Sequence, residues 1–246
     1  DPQPPAMDTV AELKPWSALA YRDYRILWIS GVAQMITMQM RLLVTGVWLY
    51  EETGSGVQLG MLGLVQLAVQ LPAVLYGGAL ADQIDRKKLM SYAQSVSFVL
   101  LIVLTALVAT DNLSEWHIFA TTAILGVAST VGNPARSALT ANVVPRTHLM
   151  HAVTTNTATF QVGAVVSPLV FAATITTLGF PATFAAATLF SIPGVILPLL
   201  IRVSGMPRGA VTEGSMLNRM WQGFLFIKSH PILPGLYIMD VGVTIV

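Results

Sequence analysis

The side chains best placed to do chemistry in this chain are a few charges and amides set among long apolar runs. Asp82 stands in the stretch Gly77-Gly78-Ala79-Leu80-Ala81-Asp82-Gln83-Ile84-Asp85-Arg86-Lys87-Lys88-Leu89, a carboxylate four residues ahead of three consecutive bases. A carboxylate in such a place can accept hydrogen bonds from a helix N-terminus or pair with an arginine. Gly78, just before it, lets one helix approach another closely. Arg136, at the end of a later apolar run, is the natural charge partner. Arg41 and Asp240 lie inside apolar runs, where a charge costs roughly 2.5–3.5 kcal/mol on insertion scales and faces a cavity or a partner. Arg41 has the further option of snorkelling to the outer headgroups. Gln34, Gln66 and Gln70, with Gln39, Asn156, Thr159 and Gln161, are polar positions that either line a cavity or hydrogen-bond between helices.

Catalytic chemistry finds little support in the same inventory. The chain has no cysteine, which removes disulfides, thiolate ligands and cysteine nucleophiles. His117, His148, His151 and His230 are scattered, with no pair at metal-binding spacing. An intramembrane serine protease needs a nucleophile beside a base, and neither a Gly-x-Ser-Gly stretch nor an intramembrane histidine pair is present. No enzyme activity, metal or cofactor is expected, and no nucleic-acid partner.

The elements that must position these charges are membrane spans. Hydrophobic residues make up 54% of the 246, charged residues 10%, and the mean hydropathy is +0.68; a soluble domain carries roughly a quarter charged residues. About 20 apolar residues cross the hydrocarbon core, and six windows qualify: Ile26–Tyr50, Val57–Ala81, Leu89–Ala109, Trp116–Leu139, Val153–Leu178 and Phe180–Ile201. Turn chemistry separates them at Thr53-Gly54-Ser55-Gly56, Asp111-Asn112 and Gly179-Phe180-Pro181. The expected organisation is an amino-terminal segment (1–25), a six-helix bundle (26–201), a linker (202–231) and a seventh span begun at 232–246. Within the linker, Leu217, Met220, Trp221, Phe224 and Ile227 recur at helical spacing, as in an amphipathic helix lying on a membrane surface. The opening residues lack the apolar core of a signal peptide, and Val246 falls within an apolar run, so the chain reads as the amino-terminal part of a longer protein.

Charge gives the orientation. Of the thirteen basic residues, twelve fall on one side, before the first span, in the loops of that side or, as Arg136, at the end of the fourth window that faces it, and Arg41 lies well within a span. The opposite loops hold Glu51, Glu52, Asp111 and Glu115 and no base. The positive-inside rule makes the basic side cytoplasmic, with the amino terminus there, in a plasma membrane and most simply a bacterial inner membrane.

The stretch around Asp82 resembles the cytoplasmic loop signature of the major facilitator superfamily, Gly-x-Leu-Ala-Asp-Arg-x-Gly-Arg-Arg/Lys, between helices two and three. Gly78, Leu80, Ala81, Asp82, Arg86 and Lys87 match it; Gln83 and Asp85 depart from it. Gly126-Val127-Ala128-Ser129-Thr130-Val131-Gly132-Asn133-Pro134-Ala135-Arg136, continuing to Val144-Pro145-Arg146, looks like helix four of the superfamily's exporter branch, related to enterobactin and macrolide efflux proteins. Gly163-Ala164-Val165-Val166-Ser167-Pro168 is similar to the drug-exporter signature of helix five, with Ser167 in place of a glycine. The resemblance implies an all-α membrane protein: the six-helix amino-terminal half of a major facilitator fold plus the start of helix seven. It implies that Gly78, Asp82, Arg86, Lys87 and Arg136 form a conformational latch holding two halves of the protein together in the outward-facing state. It implies that Gly163, Ser167 and Pro168 bend and closely pack helix five, and that Arg41, Asp240, Gln34, Gln66 and Gln70 belong to a cavity or coupling network.

The function expected is a secondary active transporter, a proton-coupled exporter of a drug- or siderophore-like small molecule working by alternating access. No nucleotide-binding signature offers another energy source. Its partners are the lipid bilayer, the small-molecule substrate and a carboxy-terminal half of the same chain. A non-transporting receptor or scaffold on the same fold is the alternative. Substrate identity is not written in these residues.

Overall fold

A computed structural model describes residues 17–81, 85–203 and 205. Asp82, the linker helix expected within 202–231 and the seventh span with Asp240 lie outside them. The described chain is helical. After a short 3-10 turn, Ser17–Ala20, it forms α1 (Arg22–Thr53), α2 (Gly56–Ala81), α3 (Arg86–Ala109) and α4 (Glu115–Val143). A single helical stretch, Leu149–Ile196, then breaks at Gly179 into two legs, α5 (149–178) and α6 (180–196). A 3-10 turn, Leu197–Leu200, ends the bundle. At 1.5 Å per residue, α1 is about 48 Å long and α3 about 36 Å, each enough to cross a hydrocarbon core of about 30 Å.

Local chemistry sets these boundaries. Gly54 ends α1 with φ of +62° and its N–H on the Tyr50 carbonyl at 2.8 Å, a left-handed cap that glycine adopts without strain. Asp85, which departs from the family's usual glycine, caps α3: its Oδ1 accepts the Lys87 N–H at 2.9 Å, satisfying a donor that the first turn leaves open. The α4 start is closed by the Ser114 N–H donating to Nδ1 of His117 at 3.1 Å, so one of the scattered histidines caps a helix. Gly179 takes φ +75° and ψ −173°, a region nearly closed to other residues, and Pro181 follows at the head of α6, where its missing N–H leaves no bond unmade.

Helix α1 is the centre of the bundle and packs along both α5 and α6; α3 packs on α4 and α6, and α2 on α4. Four buried clusters lie in the interior, one of them Leu49, Leu62 and Ile118 between α1, α2 and α4. Tyr24, Leu27, Leu89, Leu139, Ala152 and Ile201 meet at one end; Met40, Leu101 and Ala187 lie in the middle; Val44, Leu104 and Phe184 sit beyond them. Large apolar side chains such as Val57, Leu64, Val99, Val165, Leu169 and Leu189 are exposed on the outside, the pattern of helices whose outer faces meet lipid rather than water. Several threonine hydroxyls bond their own helix, as Thr45 does to the Arg41 carbonyl at 2.7 Å and Thr105 to that of Leu101 at 2.7 Å, which meets their donors inside an apolar layer.

The two ends of the bundle differ in charge, as the sequence requires. At the basic end, Asp23 of α1 accepts the backbone N–H groups of Arg202 at 3.0 Å and Val203 at 2.9 Å. Lys87 Nζ donates to the Ile201 carbonyl at 3.2 Å, and the Arg86 N–H to the Gly205 carbonyl at 3.0 Å. The chain leaving α6 is therefore tied to the starts of α1 and α3. At the acidic end, Gln58 of α2 donates to Glu115 of α4 at 3.1 Å.

Candidate functional site: a cleft between α1, α4 and α5

Helices α4 and α5 barely touch each other, while α1 contacts both. The gap between them in the basic half of the bundle is a cleft of about 410 Å³, within the size range of small-molecule sites. Its polar lining comes from three helices: Trp28 and Gln34 on α1, Asn133, Arg136, Ser137 and Thr140 on α4, and Asn156 and Thr159 on α5. An adjoining recess of about 270 Å³ between α1 and α5 is lined by Val32, Met35, Ile36, Val162 and Val166. The combination of an apolar wall and a few fixed polar groups is what binds an amphipathic organic molecule and orients it.

Arg136 holds the α1–α4 side of this cleft. Its Nη1 donates to Gln34 Oε1 at 3.0 Å and its Nη2 to the Leu27 carbonyl at 3.1 Å. The guanidinium lies against Gly31, and a Cβ on that residue would overlap it. Glycine is needed there because the arginine occupies the space of a side chain. No carboxylate pairs with Arg136 among the described residues. Pro134, two residues before it, sits inside α4 and withholds the hydrogen bond that would reach the Thr130 carbonyl, a local weakness at the level of the cleft.

On the α5 side, Trp28 Nε1 donates to Thr159 Oγ1 at 2.7 Å, and that hydroxyl donates on to the Thr155 carbonyl at 2.8 Å. Tyr24 OH donates to the Ala152 carbonyl at 2.9 Å and lies 3.4 Å from Asn156 Oδ1. Gly163 faces Met35: a Cβ there would come within 2.8 Å of Met35 Cγ. Ser167 is fully buried and its hydroxyl has no partner among the described residues; Pro168 follows inside the helix. Gly163 and Ser167 thus face inward, while Val165 between them is exposed.

A second, smaller cavity of about 50 Å³ lies between α1, α3 and α4, with Arg41, Gln34, Thr37, Gln94, Ser97 and Ser129 on its wall. Gln34 and Met38 border both it and the larger cleft. Of the residues singled out from sequence, Gln34, Arg41, Arg136, Asn156 and Thr159 line these cavities. Gln66 and Gln70 instead run beside Gly126 of α4, with the Gln66 carbonyl and Gln70 Cγ each 3.9 Å from where a Cβ would be, and Gln161 is exposed. Arg86 and Lys87 bind the chain after α6 rather than the cleft. Trp28, Gly31, Asn133 and Ser137 were not singled out individually. Gly31 is legible only as a small residue one turn before a glutamine, and a tryptophan beside the basic flank of a span is ordinarily read as an interfacial anchor.

The profile of the Major Facilitator Superfamily matches residues 27–246. Among curated proteins, macrolide efflux protein A of Streptococcus pyogenes is 24% identical over 208 residues, which is 83% of this chain and 51% of that protein. The enterobactin exporter EntS of Shigella flexneri is 25% identical over 227 residues, 90% of this chain and 54% of that protein. The chain spans about half the length of the curated relatives it matches.

Proposed function

Since the chain belongs to the major facilitator superfamily, we propose that it is the amino-terminal half of a secondary active exporter of an amphipathic small molecule. The observation that carries the reading is the cleft between α1, α4 and α5, with a fixed guanidinium and amides on one wall and an apolar recess on the other. Its relatives are named for macrolide efflux and enterobactin export, which favours outward transport of cargo of that size. The basic end faces the cytoplasm in a plasma membrane by the positive-inside rule, so the cleft receives cargo from inside.

Alternating access supplies the mechanism and the proton gradient supplies the energy. A second six-helix half closes over the open side of the cleft, and rocking of one half against the other exposes the site to each face in turn. Asp82, Gly78, Arg86, Lys87 and Arg136 form the latch at the basic end. Arg136 is held against α1 in the described state by Gln34 and the Leu27 carbonyl, so a carboxylate reaching it would act on α1 and α4 together.

Expression of the full-length protein in an efflux-deficient bacterium tests the proposal. Cells loaded with a radiolabelled macrolide, or making enterobactin, should release it faster than vector controls, and a protonophore should abolish the difference. Equal release with and without the protein for both compounds, and for a wider panel of amphipathic drugs, would count against export. Release insensitive to the protonophore would remove the proton coupling.

A further inference from the structure

Arg41 stands out in the bundle as a charge with no visible counterpart. It lies about 28 Å along α1 from Arg22 at 1.5 Å per residue, mostly buried, and makes no ion pair or side-chain hydrogen bond among the described residues. A buried charge is normally paired or bound to a ligand. The cavity it borders is polar on three sides, with Gln34 and Thr37 from α1, Gln94 and Ser97 from α3, and Ser129 from α4. The Ser129 hydroxyl donates to the Gly126 carbonyl at 3.0 Å. Gln94 is itself buried and lies against Gly194 of α6, where a Cβ would sit 3.3 Å from its Oε1. The small residues Ala93, Ala128 and Gly132 complete the wall and leave the space open.

From this arrangement we infer that Arg41, with Gln34, Gln94 and Ser97, forms a carboxylate-binding subsite at the inner end of the cleft. The cavity of about 50 Å³ has room for water-sized groups, the scale on which a carboxylate head enters it. Arginine presents a planar fork that fits two carboxylate oxygens at once, and the amide N–H groups of Gln34 and Gln94 and the hydroxyl of Ser97 add further donors. Gln34 and Met38 border both cavities, so a ligand whose body lies in the cleft can extend its anionic end to Arg41. The inference builds on the export reading for the owner of that carboxylate, an amphipathic cargo bearing an acid. Binding itself is independent of transport.

The test is therefore an equilibrium one, on the purified full-length protein in detergent at constant ionic strength. Sodium acetate should raise the unfolding temperature saturably. Arg41→Gln should abolish that response, Arg41→Lys should keep it with a weaker midpoint, and Ser97→Ala should weaken it several-fold, the order of one lost hydrogen bond. A flat wild-type response would overturn the subsite, as would an equal response from Arg41→Gln. A response that appears only in Asp240→Asn would also overturn it, by assigning the position to the chain's own carboxylate. If acetate binds as expected but no compound is exported, the subsite stands and the export reading falls.

Discussion

Replacing Gly31 with valine should reduce export at least tenfold while leaving the protein inserted in the membrane. The guanidinium of Arg136 fills the space that a side chain at position 31 would need, so the arginine must leave. Its hydrogen bonds to Gln34 and to the Leu27 carbonyl go with it. A hydrogen bond to a charged group is worth about 1.5–3 kcal/mol, and about 1.4 kcal/mol is a factor of ten in a rate. Gly31→Ala should act in the same direction, since the overlap begins at Cβ. The cause can be isolated by a cycle: in an Arg136→Ala background the valine should do little further harm, because residues that act through one contact are not additive. Losses that simply add would mean that Gly31 matters for some reason other than its arginine.

The second large effect is expected at Asp82. Arg136 has neutral partners among the described residues, Gln34 and a backbone carbonyl, and no acid. The stretch before the Arg86-Lys87-Lys88 cluster holds two carboxylates, Asp82 and Asp85, and Asp85 is already engaged in capping α3. Asp82→Asn keeps the shape and removes the charge. Export should fall more than tenfold, with insertion and expression unchanged, and Asp82→Glu should restore a part of it. Asp85→Asn should be much milder, since an asparagine oxygen caps a helix nearly as well as a carboxylate. Wild-type export by Asp82→Asn would reduce this residue to loop filler.

The spans were legible because hydrophobic length is a local property. Each window of about 20 apolar residues is now a helix, and the break at Gly179-Phe180-Pro181 falls where its turn residues sit. The differences lie at the edges. Helix α1 starts at Arg22 rather than Ile26 because Tyr24 and Leu27 are buried against Ala152 and the basic-end cluster, a tertiary stabilisation that hydropathy does not register. The last window runs to Ile201, but regular helix ends at Ile196 and gives way to a 3-10 turn containing Pro198. The cleft was legible only in part. Gln34, Asn156 and Thr159 stood out as amides and a hydroxyl in apolar runs, whereas Gly31 and Trp28 did not. Trp28 meets Thr159 across 131 positions of sequence, and such a meeting depends on the rotation of two helices about their axes. Nor could the sequence tell that the Gln70 side chain and the Gln66 backbone lie at the α4 seam, since one face of α2 is as apolar as another. Asp23 was missed because an acid at the head of a helix reads as a partner for its dipole, and its grip on Arg202 and Val203 requires the sixth helix to end beside the first.

The claim on which the rest depends is that the cleft is part of the path of the exported molecule and opens at the basic end. Ser137 is exposed on its α4 wall, next to Arg136, and these 246 residues contain no cysteine to compete with a new one. The deciding measurement is the rate at which an impermeant maleimide alkylates Ser137→Cys in inside-out vesicles, with and without a saturating concentration of the exported compound. Alkylation should proceed from the cytoplasmic face, slow several-fold when the compound is bound, and be absent in intact cells. An unchanged rate in the presence of the compound, or labelling of intact cells alone, would contradict it.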